Sequence, residues 1–354
     1  MIGSSPTAQY AGERPIYPQN AIGRLAAGPD AAIIMSMLLI PSTITLIRRS
    51  DRQLDPIDDR RLRRAIDTGE WTRIVPGAFA ESRDWARLTP IEQHRLFVDE
   101  VMRRLQHPAV ASHSSAAAKW NIDILGPWPS RLDITTDVRS GGRSSGFVQR
   151  HALGLDDVER VAWDEHEITT PAQTALDLAR TLPFVKAVSA VDQAIWTERP
   201  GGALTTIEEI RARLEGSRRR PGDVRARRVL DFANPHAADV RESQSRVVVV
   251  QLGFPVPIVQ YRRILRSGRL AISDLFFERE EHWCEIDGRG KYLSPEFGVG
   301  RSPNEIVIDE KNRENEIRRE VRGFSRWEAI DGDHPRRIWD ILTGDGMPCS
   351  KPRP

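Results

Sequence analysis

Three apolar runs set the pattern of the second half of the chain: VPIVQYRRIL at 256–265, Leu270 to Phe277, and Trp283 to Ile286. Each has the length of a strand, and charged or glycine-containing turns separate them. ADVRESQSRVVVVQLGF, residues 238–254, precedes them as a helix that Gly253 ends. A polar loop or insertion follows Lys291 and runs to Val307. DEKNRENEIRREVRGF then reads as a highly charged helix, SRWEAID as a further strand and HPRRIWDIL as a closing helix. That order predicts an α/β domain around a mixed sheet over residues 238–343, with a disordered tail at 344–354.

The first half patterns differently. Residues 1–37, rich in Gly, Pro, Ala and Ser, keep no period and are expected to be disordered, with Met35 and Met37 as possible true starts. In DDRRLRRAIDTGEW, Leu62, Ala65 and Ile66 recur at helical spacing until Gly69, with Asp51 or Asp55 available as caps. WTRIVPGAFA reads as two short strands around Pro76–Gly77. Residues 83–112 predict one amphipathic helix through Leu88, Ile91, Val98, Val101 and Leu105. ASHSSAAAKW is a turn into a small-residue helix capped by Ser112 or Ser114. RLDITTDV and FVQRHAL, joined by GGRSSG, read as a hairpin over 131–153. A strand ending at Ile168 then leads to a helix capped by Thr169 or Thr170 with Pro171 in its first turn, and Val185 to Trp196 extends the pattern. Asp177 and Asp192 on these helices read as surface or capping groups.

At 354 residues the chain has room for two or three cored domains. Its net charge of +2 is laid out unevenly, because eight arginines crowd residues 211–228. Such a run is a solvated face, a linker or a polyanion contact, and residues 201–237 are assigned here as a basic helical linker. Cys284 falls in an apolar strand, far from Cys349, which favours a core thiol and a reducing, cytoplasmic setting over a disulfide framework. AAIIMSMLLI at 31–40 is too short to span a bilayer, and no membrane partner is expected.

The candidate chemistry gathers near residue 280. Alternate strand positions share a face, so Glu285 and Asp287 point the same way, and a hairpin brings Asp274 alongside. Three converging carboxylates raise one another's pKa unless a divalent cation or bound cationic groups neutralise them. Hard oxygen ligands suit Mg2+ or Mn2+. A solvated hairpin end with unrelated acids is the plainer alternative. His113 beside Ser114 and Ser115 lacks a GxSxG frame and is read as a helix-starting histidine. Arg60, Arg61, Arg63 and Arg64 on a helix, with Arg73 on the strand pair after it, supply what a winged helix-turn-helix needs on DNA. Equally, they could solvate a small helical subdomain.

With these residues placed, the last domain resembles the PD-(D/E)xK nuclease superfamily, and within it the short domains related to the very-short-patch-repair endonuclease that are widespread in actinobacterial proteins. RESQSR with Glu242, SDLFF with Asp274, EIDGRGKY with Glu285, Asp287 and Lys291, and EKNRENEIRREVRGF carry the resemblance over residues 238–342. The stretch RRSDRQLDPIDDRRLRRAIDTGEWTRIVPGAFA is similar to the N-terminal winged helix of AbiEi-type antitoxins of type IV toxin-antitoxin systems. SHSSAAAKWNI through ITTPAQTALDLAR resembles the middle domain that accompanies it. The implied fold is an α+β multidomain chain: a winged helix at 38–82, an α/β middle domain at 83–200 and a restriction-endonuclease-like α/β domain with a mixed sheet at 238–343.

The nuclease resemblance implies that Asp274 and Glu285 hold Mg2+ or Mn2+ and that Glu242 completes the site. Where the motif expects lysine this chain has Asp287, itself a possible metal ligand; Lys291 or Lys311 could take the lysine's part. Arg246 and Arg289 would touch phosphate, as would the run at 218–228. The expected function is that of a DNA-binding, antitoxin-like protein with a nuclease-type domain that hydrolyses phosphodiesters through a bound metal. Its rival is an inactive regulator or antitoxin that represses its own operon and restrains a toxin.

Overall fold

The first helix, α1 (Pro56–Asp67), begins at proline and closes before Gly69, which takes the left-handed φ of +76° that only glycine adopts cheaply. Leu62 is buried beneath it. Strands β2 (Trp71–Val75) and β3 (Ala78–Glu81) pair antiparallel around Pro76–Gly77, as the pattern predicts, and β1 (Leu46–Arg48) adds to β3. The computed structural model describes residues 44, 46–49, 56–137, 144, 146–288 and 303–354. The predicted extension at 1–37, most of the polar stretch after Lys291, and Arg289 and Lys291 themselves lie outside the described residues.

The helix predicted over 83–112 is two. A single turn, α2 (Ser82–Trp85), precedes α3 (Pro90–Met102), which starts afresh because Thr89 and Glu92 form a capping box and Pro90 has no N–H to continue a helix. Arg48 bonds the buried Glu100 of α3, and Arg104 just past α3 donates to the Pro76 carbonyl, so the Pro76–Gly77 end of the small sheet is tied to the end of α3.

In the middle of the chain a five-stranded mixed sheet has the order β6-β5-β4-β8-β7. Its strands are β4 (Val110–Ala111), β5 (Leu132–Thr136), β6 (Val148–Ala152), β7 (Arg160–Trp163) and β8 (His166–Thr169). The predicted hairpin over 131–153 is not one: β5 and β6 run parallel, Leu132 opposite Val148. Their connection is long enough to carry the chain back to the same end of the sheet, which a parallel pair requires. Helix α4 (His113–Lys119) is buried throughout. Helix α5 (Pro171–Thr181), with Thr170 as its cap, packs against α6 (Phe184–Ile195).

Residues 201–237 are not a linker. They form α7 (Ile207–Gly216) and α8 (Asp223–Phe232), both packed on α5, and several of the arginines bond or stack against the fold while Arg218, Arg219, Arg225, Arg227 and Arg228 stay exposed. Arg213 donates to Gln173, Arg220 to Asp157, and Arg225 to the terminal carbonyls of α5, while Arg228 lies over the Phe184 ring.

Helix α9 (Val240–Leu252) ends at Gly253 in the left-handed conformation. The four-stranded sheet beyond it, order β12-β11-β10-β9, comprises β9 (Ile258–Ile264), β10 (Leu270–Phe277), β11 (His282–Asp287) and β12 (Gly323–Glu328); only β11 and β12 run parallel. One face (Leu275, Phe277, Cys284, Ile286, Trp327) packs with α9 and α11 (Pro335–Gly344). The other (Phe276, Trp283, Phe324) packs with Ile317 of α10 (Pro303–Glu320). Residues 344–354, expected as a disordered tail, instead lie on the end of α9: Met347 is buried, Ser350 bonds the Gly253 carbonyl, and Lys351 bonds that of Gln251. Among the described residues, then, the chain is α+β, with eleven helices and three sheets.

Helix α9 also packs against α6, and the seam is polar at its centre. Asp192, expected at the surface, is wholly buried and accepts from Asn234 N at 2.7 Å, Ser243 Oγ at 2.7 Å and Arg246 Nη2 at 2.8 Å. Replacing one member strands the rest, so Asp192→Ala should lower unfolding free energy by about 3–5 kcal/mol in urea titrations. Asp177 is buried too, and burial pushes its carboxyl up to about 6 against the Gln173 bond that lowers it. A raised native pKa means stability is lost as pH climbs from about 4 to 6. Asp177→Asn should therefore stabilise the protein by about 1–3 kcal/mol at pH 8, and the gain should vanish near about pH 4.

Candidate functional site

The acidic cluster forms where β10, β11, β12 and α10 meet. Glu285 and Asp287 share the α10 side of β11, as alternation predicts, with Trp283 on the same side. The parallel register sets Arg326 of β12 directly opposite Glu285. Arg326 bonds Glu285 Oε2, reaches Asp287 at 3.3 Å, and holds Glu310 and Glu314 of α10 at 3.0 and 2.8 Å. Arg313 takes the other Glu285 oxygen at 2.7 Å, where Trp283 Nε1 also donates at 3.2 Å. Burial lifts the Glu285 carboxyl above the ordinary range, and the two guanidiniums offset this only in part. Burial pulls Arg326 down, but Glu285 and Asp287 outweigh it and leave the guanidinium more firmly charged than usual.

Asp274 arrives by a different geometry. Ala271 and Phe276 pack on one face of the sheet and Leu275 and Phe277 on the other, so alternation slips once in β10; on β9, Val259 and Tyr261 likewise go to opposite faces. Between them Gln260 holds a φ of +51°, a left-handed value a side-chain-bearing residue rarely takes. At this slip Asp274 Oδ2 accepts the Ile286 N–H at 2.7 Å, serving the ladder in place of a backbone carbonyl. The Gln260 amide reaches Asp274 Oδ1 at 3.4 Å and Glu242 Oε2 at 3.2 Å, so Glu242 and Asp274 come together across one side chain.

These contacts test the metal. Both Glu285 oxygens and both Asp274 oxygens accept hydrogen bonds, from cations at Glu285 and from neutral amides at Asp274. An ion at Glu285 would have to displace Arg313 and Arg326, whereas Asp274 and Glu242 share the neutral Gln260 side chain. Among the described residues no group of three His, Cys, Asp or Glu side chains is placed to hold a metal ion. Lys311 is exposed on α10, and Arg313 is the residue on the turn that meets Glu285. Spacing missed Arg313, Arg326 and Gln260. The period-two pattern of SRWEAID did place Arg326 two residues from Phe324 on one strand face, the one available signal.

Arg246 is corrected as a phosphate contact. It is buried, paired with Asp192, bonded to the Phe232 carbonyl at 2.8 Å and stacked over the Phe232 ring. Of the arginines at 218–228, Arg220 is half-buried against Asp157, Arg225 and Arg228 contact the fold but are exposed, and Arg218, Arg219 and Arg227 are exposed too. In the first part of the chain Arg60, Arg61, Arg63 and Arg64 are exposed together on α1, and Arg73 is exposed on β2. Leu62 anchors the helix beneath them, so the charge is carried on a fixed element.

No family model matches the chain. Two relatives from Mycobacterium tuberculosis, the uncharacterized proteins MT2308 of strain CDC 1551 / Oshkosh and Rv2248 of strain H37Rv, are each 36% identical to it over 141 residues. The match covers 40% of this chain and 47% of theirs, so the chain spans about half the length of the curated relatives it matches. The crystal structure of the RV2827C protein from Mycobacterium tuberculosis is similar at 16% identity and a TM-score of 0.31, over 61% of this chain and 79% of that one. A likeness of that size carries no argument.

Proposed function

We propose that this protein is a DNA-binding regulator of the antitoxin type, in which the C-terminal nuclease-like domain serves as a charge-paired scaffold and does not hydrolyse DNA. The observation that carries this reading is the contrast between two sets of arginines. Arg313 and Arg326, facing Glu285, are half-buried in the fold, whereas Arg60, Arg61, Arg63, Arg64 and Arg73 are exposed to solvent on a helix and the adjoining strand pair. A rigid cationic helix beside a two-stranded wing suits phosphate contacts on either side of a groove. A toxin partner follows from the resemblance of residues 42–196 to AbiEi-type antitoxins. No helix among the described residues is long and apolar enough to cross a membrane.

The juxtaposition of Glu242 and Asp274 around Gln260 favours a second reading, a metal-dependent endonuclease that rearranges its arginines when DNA arrives. Metal dependence separates the two. For the regulator, calorimetry at low ionic strength should show no saturable Mg2+ or Mn2+ binding, and a chelator should leave duplex affinity unchanged. Cleavage that disappears in Asp274→Ala would instead establish the nuclease.

The affinity itself should fall steeply with salt. If the five exposed arginines each neutralise a phosphate, the slope of log K against log salt is about −4 to −5, and replacing the four on α1 by glutamine should flatten it by about three to four. A slope that this variant leaves unchanged would remove the wing from the DNA contact.

A further inference from the structure

A cavity of about 410 Å3 opens in the middle domain at the β6 edge of the five-stranded sheet, lined in part by His113, Ser114, Arg131, Asp133, Gln149 and His151. The His113 and His151 rings stack at 3.7 Å and 16°. Each ring is held from one nitrogen: Asp133 Oδ1 lies 2.8 Å from His151 Nε2, and Ser112 Oγ lies 2.9 Å from His113 Nδ1. With Asp133 ionised, Nε2 is the donor, and His151 Nδ1 becomes a second donor, toward a bound anion, only when the ring takes up a proton as that anion binds. His113 also takes a φ of +48°, a strained backbone for a non-glycine residue, at the point where its ring meets His151.

Among the described residues the lining carries one guanidinium, Arg131, and one carboxylate, Asp133, while Arg180 and Arg220 behind it, paired with Asp223 and Asp157, are near enough to act on His113. Burial holds His113 down to about 3, and His151, Arg220 and Arg180 add to this against the opposing pull of Asp133. Among the described residues, the Nη1 atoms of Arg180 and Arg220 are buried without a hydrogen-bond partner. The Arg180, Thr181 and Leu182 carbonyls at the end of α5 would repel an anion, but Arg225 Nη1 covers them at 3.2–3.4 Å. A metal is a poor fit, because imidazole lone pairs lie in the ring plane and two stacked rings cannot aim both at one ion at bonding distance.

We propose that this cavity binds a phosphorylated small molecule, with its phosphate held by Arg131, Ser114 and the His113–His151 pair. A guanidinium fork, a hydroxyl and imidazole N–H groups are the donors that phosphate oxygens take. The volume lies within the range of small-molecule sites and leaves room for a body attached to the phosphate. This site is separate from the α1 arginines and from the acidic cluster, and it does not depend on whether the protein binds DNA.

The test titrates the full chain with inorganic phosphate and with adenosine monophosphate by calorimetry, while the imidazole resonances of His113 and His151 are followed by NMR. Saturable binding with shifts at both imidazoles is expected. Affinity should weaken by about tenfold or more in His151→Asn and in Arg131→Ala. Arg131 is exposed, so its variant keeps the test valid if the histidine variant fails to fold. Glutamine at positions 60, 61, 63 and 64 should leave this binding intact. No binding by the folded wild type at about 10 mM ligand, binding retained in Arg131→Ala, or binding lost in the α1 variant would each overturn the proposal.

Discussion

Glu285 cannot be buried in a four-stranded sheet unless something cancels its charge, and much of the C-terminal domain is arranged around how that is done. Desolvating a carboxylate costs several kcal/mol even after relaxation. The fold meets the cost with two guanidiniums, one from the neighbouring parallel strand and one from the helix across the sheet face. Arg326 also binds Asp287, Glu310 and Glu314, so the same cation fixes α10 to β12. Apolar packing of Ile317, Trp283 and Phe324 then fills the space next to the ion pairs. Two of the carboxylates that a nuclease would offer to a metal, Glu285 and Asp287, are in this protein bound to arginine, while Asp274 and Glu242 meet across the Gln260 amide.

The seam between α6 and α9 follows the same logic. Asp192 is a buried acid with three donors converging on it, and two of these come from α9. Helices α6 and α9 are joined by a charged contact that neither could satisfy alone. Arg213, Arg220 and Arg225 likewise serve α5 and the loop near Asp157, so a segment that reads as a basic linker is packed onto α5.

Local features were legible in the residues. The three strands from Ile258 to Asp287, the Thr170–Pro171 helix start and the Gly253 stop all depend on near neighbours, and they stand where the pattern puts them. The sharing of a face by Glu285 and Asp287 is a property of any strand. What failed needed distant information. Arg246 read as a phosphate contact, yet it is buried against an acid 54 positions upstream. GGRSSG looked like a hairpin turn, but parallel pairing of β5 and β6 is decided by the whole sheet. His113 carried no paired acid in its own stretch; Asp133 reaches it only through His151, which a parallel strand delivers.

The register of β11 against β12 also bears on how the domain assembles. Glu285 and Arg326 are 41 positions apart, whereas β9, β10 and β11 are joined in succession by short antiparallel turns. Local pairings close quickly, and those of long sequence separation wait on loop closure. The three-stranded meander can therefore form while Glu285, on its edge strand, still faces water, and completion depends on the late docking of the helix and strand that bring the cations. Until that step, the α10 side of the sheet, with Phe276 and Trp283, is an uncovered aromatic surface, and it is there that a chaperone or a misassociating neighbour would find the unfinished protein.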